Sequence, residues 1–226
     1  MNLQIIARIR CDFNEKFGIP RQSGLVSTRA SIVFEPPFRN ADAVKGLEDF
    51  SHIWLLWQFS KAVRKGWSPT VRPPRLGGNI RMGVFATRSP YRPNEIGLSS
   101  VRLLEVLPQS PEGPILIIEG ADLLDGTPIF DIKPYLAYTD SHPDATDGFA
   151  DTKKQGPLRA VCSEEILSNV PKKERHLLLS LLEQDPRPAY QDEPDRIYTM
   201  DYGKFTLRFS VEKSTLTVLS IEKHES

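Results

Sequence analysis

Four short segments carry more polar and conformationally special residues than folding demands. The richest is GVFATRSPYRPNEIGLS, residues 83–99, where Arg88, Arg92, Asn94 and Glu95 stand among Pro90 and Pro93. A loop stiffened in this way loses less entropy when it grips a ligand. The planar guanidinium fork of arginine suits a phosphate or carboxylate, which it meets with paired hydrogen bonds. The second segment, ADLLDGTPIFDIKPYL at 121–136, holds Asp122, Asp125 and Asp131 around Gly126 and Pro128. Three carboxylates can suggest magnesium, but no matched set of further ligands accompanies them. Asp-Gly is also a plain turn signal, so Asp125 has an ordinary role open to it. The third, FGIPRQSGL at 17–25, sets Arg21 and Gln22 between Pro20 and Gly24. It reads either as a loop that presents polar groups or as a simple connection. The fourth, FSHIWLLWQF at 50–59, opens a strand with His52 and carries Trp54 and Trp57. A lone histidine at a strand end either lines a site or is a satisfied structural residue. The tryptophans read as core or interface side chains, with stacking on a nucleobase as the lesser reading.

The charge pattern sharpens the chemistry. The chain has 29 basic and 29 acidic residues and a formal charge of zero, which argues against coating a nucleic acid by bulk attraction. Yet from residue 57 to 102 nine lysines and arginines face one acid, Glu95. Such a local field can draw a polyanion, unless acidic neighbours neutralise it in the fold. No strand-to-helix GxGxxG, Walker A, GxSxG or HExxH pattern occurs, which excludes a Rossmann nucleotide site and the common hydrolase centres. Cys11 and Cys162 lie far apart and the four histidines are scattered, so no metal site is expected. No apolar run approaches the roughly 18 residues of a membrane helix, and the opening MNLQIIARIRC lacks the apolar core of a signal peptide. The expectation is a soluble cytoplasmic protein.

These loops need a scaffold, and the pattern predicts a mainly β one. Strands are expected at 3–9, 31–34, 53–57, 79–86, 101–107 and 115–118, separated by Pro/Gly-rich loops, with one short helix at 41–48. Ile80, Met82, Val84 and Ala86 alternate with their neighbours, as a half-buried strand requires. The unbroken apolar run 53–57 suits a strand buried on both faces or lining a barrel. Many short strands with such loops argue for a small, closed or nearly closed β-barrel over residues 1–145. The polar, aperiodic stretch 141–156 reads as a linker. A small α+β unit at 155–226 follows: a helix after Pro171 with Leu177, Leu178, Leu181 and Leu182 at helical spacing, then a hairpin turning at 212–214. At this size it is expected to pack on the barrel or on a partner chain.

From the residues alone the reading stops at a β-rich domain with a basic, proline-stiffened polar site. The stretches PRQSGL, ADAVKGLEDFSHIWLLWQF, WSPTVRPPRLGGNIRMGVFATRSPYRPNEIGLS, DLLDGTPIFDIKPYL and DPRPAYQ resemble the TrmO/TsaA-like (YaeB-like) family over almost the whole chain. The resemblance implies a β-barrel that binds S-adenosylmethionine, acts as a homodimer with the cofactor near the subunit interface, and methylates N6 of N6-threonylcarbamoyladenosine beside the anticodon of tRNA. Carried over residue by residue, it places cofactor contacts at Pro20, Arg21, Gln22, Ser51, His52, Arg88 and Leu98, and along Asp122, Leu123, Leu124, Asp125 and Gly126. Arg72, Arg75 and Arg92 are the expected tRNA contacts. The catalytic base is left open among His52, Glu95 and an aspartate. A non-catalytic S-adenosylmethionine-responsive module, an RNA-binding barrel and a methyltransferase with another acceptor are the alternatives.

Overall fold

Period-two burial builds the first half of the chain. The computed structural model describes residues 2–61, 66–73, 76, 79–152, 156–187, 193 and 195–224. In β3 (His52–Gln58) the residues Ile53, Leu55 and Trp57 point inwards, while His52, Trp54, Leu56 and Gln58 remain half-exposed. The apolar run 53–57 is therefore one face of a barrel wall, because its outer face has only partial cover. With β1 (Ala7–Arg10), β2 (Arg29–Phe34), β6 (Ile96–Leu107), β7 (Ile115–Glu119) and β8 (Pro128–Pro134), β3 closes a six-stranded barrel in the order β1-β2-β7-β6-β3-β8. Neighbouring strands are antiparallel throughout, and Ala7 opposite Ile129 makes the closing contact. Ile9, Ile32, Ile53, Leu55, Leu116, Ile118 and Ile129 fill the interior with no exposed surface. Each such side chain contributes about 1.5–3 kcal/mol by leaving water.

Two expected elements come out differently. Residues 79–86 do not form one strand: β5 (Met82–Gly83) pairs with β4 (Thr70–Val71) in a short ribbon, and Val84–Ala86 is a 3-10 turn. Pro69 and Pro73 flank β4 and have no N–H to give, so the ladder cannot lengthen. The helix expected at 41–48 is two 3-10 turns, Ala41–Val44 and Leu47–Asp49. Asn40 caps the first by accepting from the N–H of Asp42 at 2.9 Å, and Gly46 at φ 83° breaks the path to the second. The strand expected from residue 3 starts at Ala7.

Beyond the short helices α1 (Ala137–Asp140) and α2 (Phe149–Thr152) lies a second sheet. It is built from β9 (Arg159–Val161), β10 (Tyr198–Tyr202), β11 (Phe205–Glu212) and β12 (Thr215–Lys223), in the order β10-β11-β12-β9. The hairpin and the helix appear as expected, the latter as α4 (Lys172–Glu183) after the shorter α3 (Glu164–Ser168), with Pro171 at the cap. Leu178, Leu181 and Leu182 of α4 are buried against the sheet. Phe13 and Val26, from the connection between β1 and β2, are buried in the same core. Phe17 stacks on Phe209 with centroids 6.5 Å apart, and Phe13 meets Tyr202 edge-on at 5.1 Å. Gly18, at φ 91°, lets Met200 approach where a Cβ would stand 2.4 Å from its sulfur. The tail thus rests on a loop of the barrel itself. Among the described residues, no helix is long and apolar enough to cross a membrane.

Candidate functional site

The register of β6 against β7 sets the site. Arg102 lies opposite Glu119, and the same register carried past the strand end brings Asp122 to Ser99. Ser99 donates its hydroxyl to Asp122 Oδ1 at 2.6 Å, and the Trp57 indole N–H donates to Ser99 Oγ at 3.0 Å. Trp57 can lie over β6 only because Gly97 is its neighbour there; a Cβ would stand 2.3 Å from the indole ring. The loop at 17–25 is drawn to the same place by Gly24 N–H donating to the Gly120 carbonyl at 2.8 Å. Gly120, at φ 84°, allows that approach. Arg88 donates to Gln22 Oε1, and its positive charge acts on Asp122. Burial pushes the Asp122 carboxyl above the usual range, opposed by the Ser99 hydroxyl and the Arg88 guanidinium. The result is a half-buried carboxylate fixed from below, with an exposed guanidinium and an amide beside it.

The other expected site residues fall in several places. Arg21 donates to the carbonyls of Asp185 and Arg187 at 3.1 and 3.2 Å, tying the loop to the tail, and Pro20 is buried. Leu123 is a core residue and Leu124 offers its carbonyl to Thr127 N–H at 3.2 Å. Asp125 accepts from Cys11 N–H at 3.0 Å, and the Gly126 carbonyl accepts from Arg8. Asp131 pairs with Lys133 at 3.0 Å, so the three aspartates have three separate partners. Ser51 and His52 share a hydrogen bond of 2.9 Å between Oγ and Nδ1, with the imidazole 6.1 Å from the Tyr135 ring. His52 and Leu98, the latter 56% exposed, lie on the outer side of β3 and β6, and Ser51 is exposed just before β3 begins. Ser99 and Asp122 belong to the inner side.

Of the cations, Arg92 donates to the Thr87 carbonyl at 3.0 Å and braces its own loop. Arg72 is exposed beside β4, and Arg75 lies outside the described residues. Glu95, just before β6, accepts Phe59 N–H on its carbonyl at 3.0 Å. Ser99 and the Trp57 indole were not singled out from sequence as parts of the site. The available signal was a serine alternating with Gly97, Val101 and Leu103 on the buried side of a strand. A cavity of about 360 Å³ lies elsewhere, at the junction with the tail, lined by Cys11, Asp12, Asn14, Gly203, Lys204 and His224. None of the expected site residues lines it. Burial pushes the Cys11 thiol there up to about 12.

A closed antiparallel barrel whose polar site is made by loops at the strand ends, with a small α+β unit resting on one of them, defines a class apart from the Rossmann-type nucleotide binders. Within that class the chain belongs to the TrmO family. Residues 8–141 match the tRNA-methyltransferase O N-terminal domain and residues 157–224 match the TrmO C-terminal domain. It is 43% identical over 226 residues to a tRNA (adenine(37)-N6)-methyltransferase of Escherichia coli K12, covering 96% of each chain. It is 46% identical over 173 residues to the protein of the same name from Eikenella corrodens, covering 76% of this chain and 97% of that one. The crystal structure of TrmO from Pseudomonas aeruginosa superposes with a TM-score of 0.78 at 35% identity, covering 99% and 97% of the two chains.

Proposed function

We propose that this protein transfers a methyl group from S-adenosylmethionine to N6 of the adenosine at position 37 of tRNA, with N6-threonylcarbamoyladenosine as the acceptor. It works in the cytoplasm as a homodimer, with residues 1–145 as the cofactor-binding unit and 155–226 as a small accessory unit. The observation that carries the reading is convergence. Four segments remote in sequence meet at Asp122: the loop holding Gln22, the loop holding Arg88, β6 with Ser99, and the stretch after β7.

The donor set fits the cofactor. A sulfonium compound with a carboxylate tail needs an acceptor near its positive centre or sugar hydroxyls and a cationic fork for the tail. Asp122 would supply the first, and Arg88 with Gln22 the second. When bound, the cofactor provides an electrophilic methyl group. Transfer is an in-line displacement, so holding donor and acceptor aligned does much of the work. The accepting nitrogen belongs to a urea-like group and must lose a proton. Asp122 has surroundings that raise its affinity for one, since burial disfavours its ionised form. The cationic stretch at 57–102 faces the anionic anticodon loop.

The homodimer reading is supported by the split of the expected contacts. His52 and Leu98 lie on the outer side of the wall whose inner side holds Ser99 and Asp122. A second copy would bring one chain's outer set to the other's barrel mouth. Purified protein with labelled cofactor and tRNA carrying threonylcarbamoyladenosine should yield the N6-methylated nucleoside by mass spectrometry. Cofactor binding without any methylated product would favour the non-catalytic module. In the same assay, Arg88→Ala and His52→Ala chains, each impaired alone, should regain about a quarter of wild-type activity when mixed, since half the dimers then hold one intact site of two.

A further inference from the structure

Two aromatic rings stand in water beside the candidate site. Trp67 is 53% exposed and Phe85 is 71% exposed. Their centroids are 6.4 Å apart and their planes differ by only 24°, so they form a nearly parallel pair. The ribbon of β4 and β5 holds them outwards. Val84, next to Phe85, is 1% exposed and donates its N–H to the Pro69 carbonyl at 3.0 Å, anchoring the ribbon on the opposite side. A fold that buries Val84 completely and leaves two larger rings uncovered presents an interaction surface.

The charge around the rings indicates what covers them. Residues 59–94 contain eight lysines and arginines and no aspartate or glutamate. Arg72 and Arg81 lie exposed on or beside the ribbon, and Arg81 is steadied by donating to Thr70 Oγ1 at 3.0 Å. Rings beside arginine also occur at protein interfaces, but eight cations without one acid are the footprint of a polyanion site. Flat rings among cations are the surface that takes unpaired nucleobases, the rings stacking and the cations meeting phosphates. Arg88 follows Phe85 by three residues across a turn closed by Thr87 N–H on the Val84 carbonyl at 3.1 Å. The platform is thus within about 11 Å of the candidate site along the backbone.

We propose that Trp67 and Phe85 form a stacking platform for an unpaired base of the tRNA anticodon loop, adjacent to the adenosine that receives the methyl group. The proposal rests on the tRNA reading above and adds residues that select and seat the substrate. The probe is an anticodon stem-loop RNA, followed by intrinsic fluorescence, with Trp67→Phe separating the Trp67 signal from that of half-exposed Trp54 and buried Trp57. Trp67→Ala and Phe85→Ala should each raise the Kd for the stem-loop, and the KM for tRNA, about tenfold. Trp67→Phe should keep most of the affinity while losing the RNA-dependent quenching. The slope of affinity against salt should stay as in wild type, because no phosphate contact is removed. Cofactor affinity and thermal stability should hold, as both rings are exposed.

A double Trp67→Ala, Phe85→Ala protein that binds and methylates tRNA as well as wild type would overturn the platform while leaving the methyltransferase reading standing. So would a double variant that loses its dimer in sedimentation but binds RNA unchanged, for the rings would then cover a second copy. A wild-type protein with no affinity for the stem-loop would sink the tRNA reading, and the platform with it.

Discussion

Asp122 and Asp125 lie three residues apart on one connection and end in opposite surroundings. Asp122 is half-buried, holds the Ser99 hydroxyl at 2.6 Å and feels the charge of Arg88. Asp125 is exposed and accepts the Cys11 backbone N–H at 3.0 Å, while its own N–H goes to the Phe13 carbonyl at 2.8 Å. One carboxylate stands at the proposed cofactor site, and the other holds β1 against the turn that carries Asp-Gly. Residue type and spacing are almost the same for both. What separates them is the strand each meets: β6, with a serine on its inner side, or β1, with a backbone donor past its last residue.

The contrast can be broken by substitution. Asp122→Ala should have the largest effect, lowering kcat/KM for methyl transfer about 100-fold or more, as loss of a placed electrostatic or proton-accepting group does. Steady-state kinetics with tRNA and cofactor varied in turn would show it, and a loss below fivefold would remove Asp122 from the site. Acidity gives a smaller effect that sharpens the comparison. Burial raises the Asp122 carboxyl in the folded protein, so the folded state holds that proton more tightly than the unfolded chain. Stability from this group is therefore present at low pH and declines as pH rises through its unfolded and then its folded value. Asp122→Asn should melt about 2 °C above wild type at pH 7, with the gap closing towards pH 4. A gap that widens on acidification would reverse the assignment. Asp125→Ala should do least to turnover, costing about 1 kcal/mol of stability for one lost hydrogen bond. Denaturant unfolding beside an activity assay would separate the two, and a turnover loss matching that of Asp122→Ala would erase the distinction.

Inner and outer positions on β6 tell the same story from another side. Leu98 and Ser99 are neighbours, yet Leu98 faces outwards and Ser99 is 1% exposed. Both close the RPNEIGLS stretch that the sequence singles out, but only Ser99 reaches Asp122. The expected contacts His52 and Leu98 both lie on the outer side, four register positions apart, and Gln22, Arg88 and Asp122 gather near the inward-facing Ser99. The resemblance supplied both groups without dividing them. Arg21 shows the reverse: adjacent to Gln22, it turns instead to the carbonyls of Asp185 and Arg187 in the tail.

Much of the scaffold was legible in advance. Strand alternation, the leucine spacing of α4 and the hairpin ending in β12 are local, since a period of two or 3.6 residues is set by the backbone itself. Loop chemistry was legible for the same reason: proline and glycine restrict or free the chain wherever they stand. The strand expected at 79–86 failed because its partner segment carries prolines, and a ladder depends on both strands. Barrel closure, the pairing of Ala7 with Ile129, and the parallel contact of β9 with β12 likewise join residues remote in sequence. By itself the sequence determined that this protein is built of short amphipathic strands linked by stiff, cationic loops. Only the tertiary structure decided which polar residues meet, because that depends on the register between strands that do not adjoin in the chain.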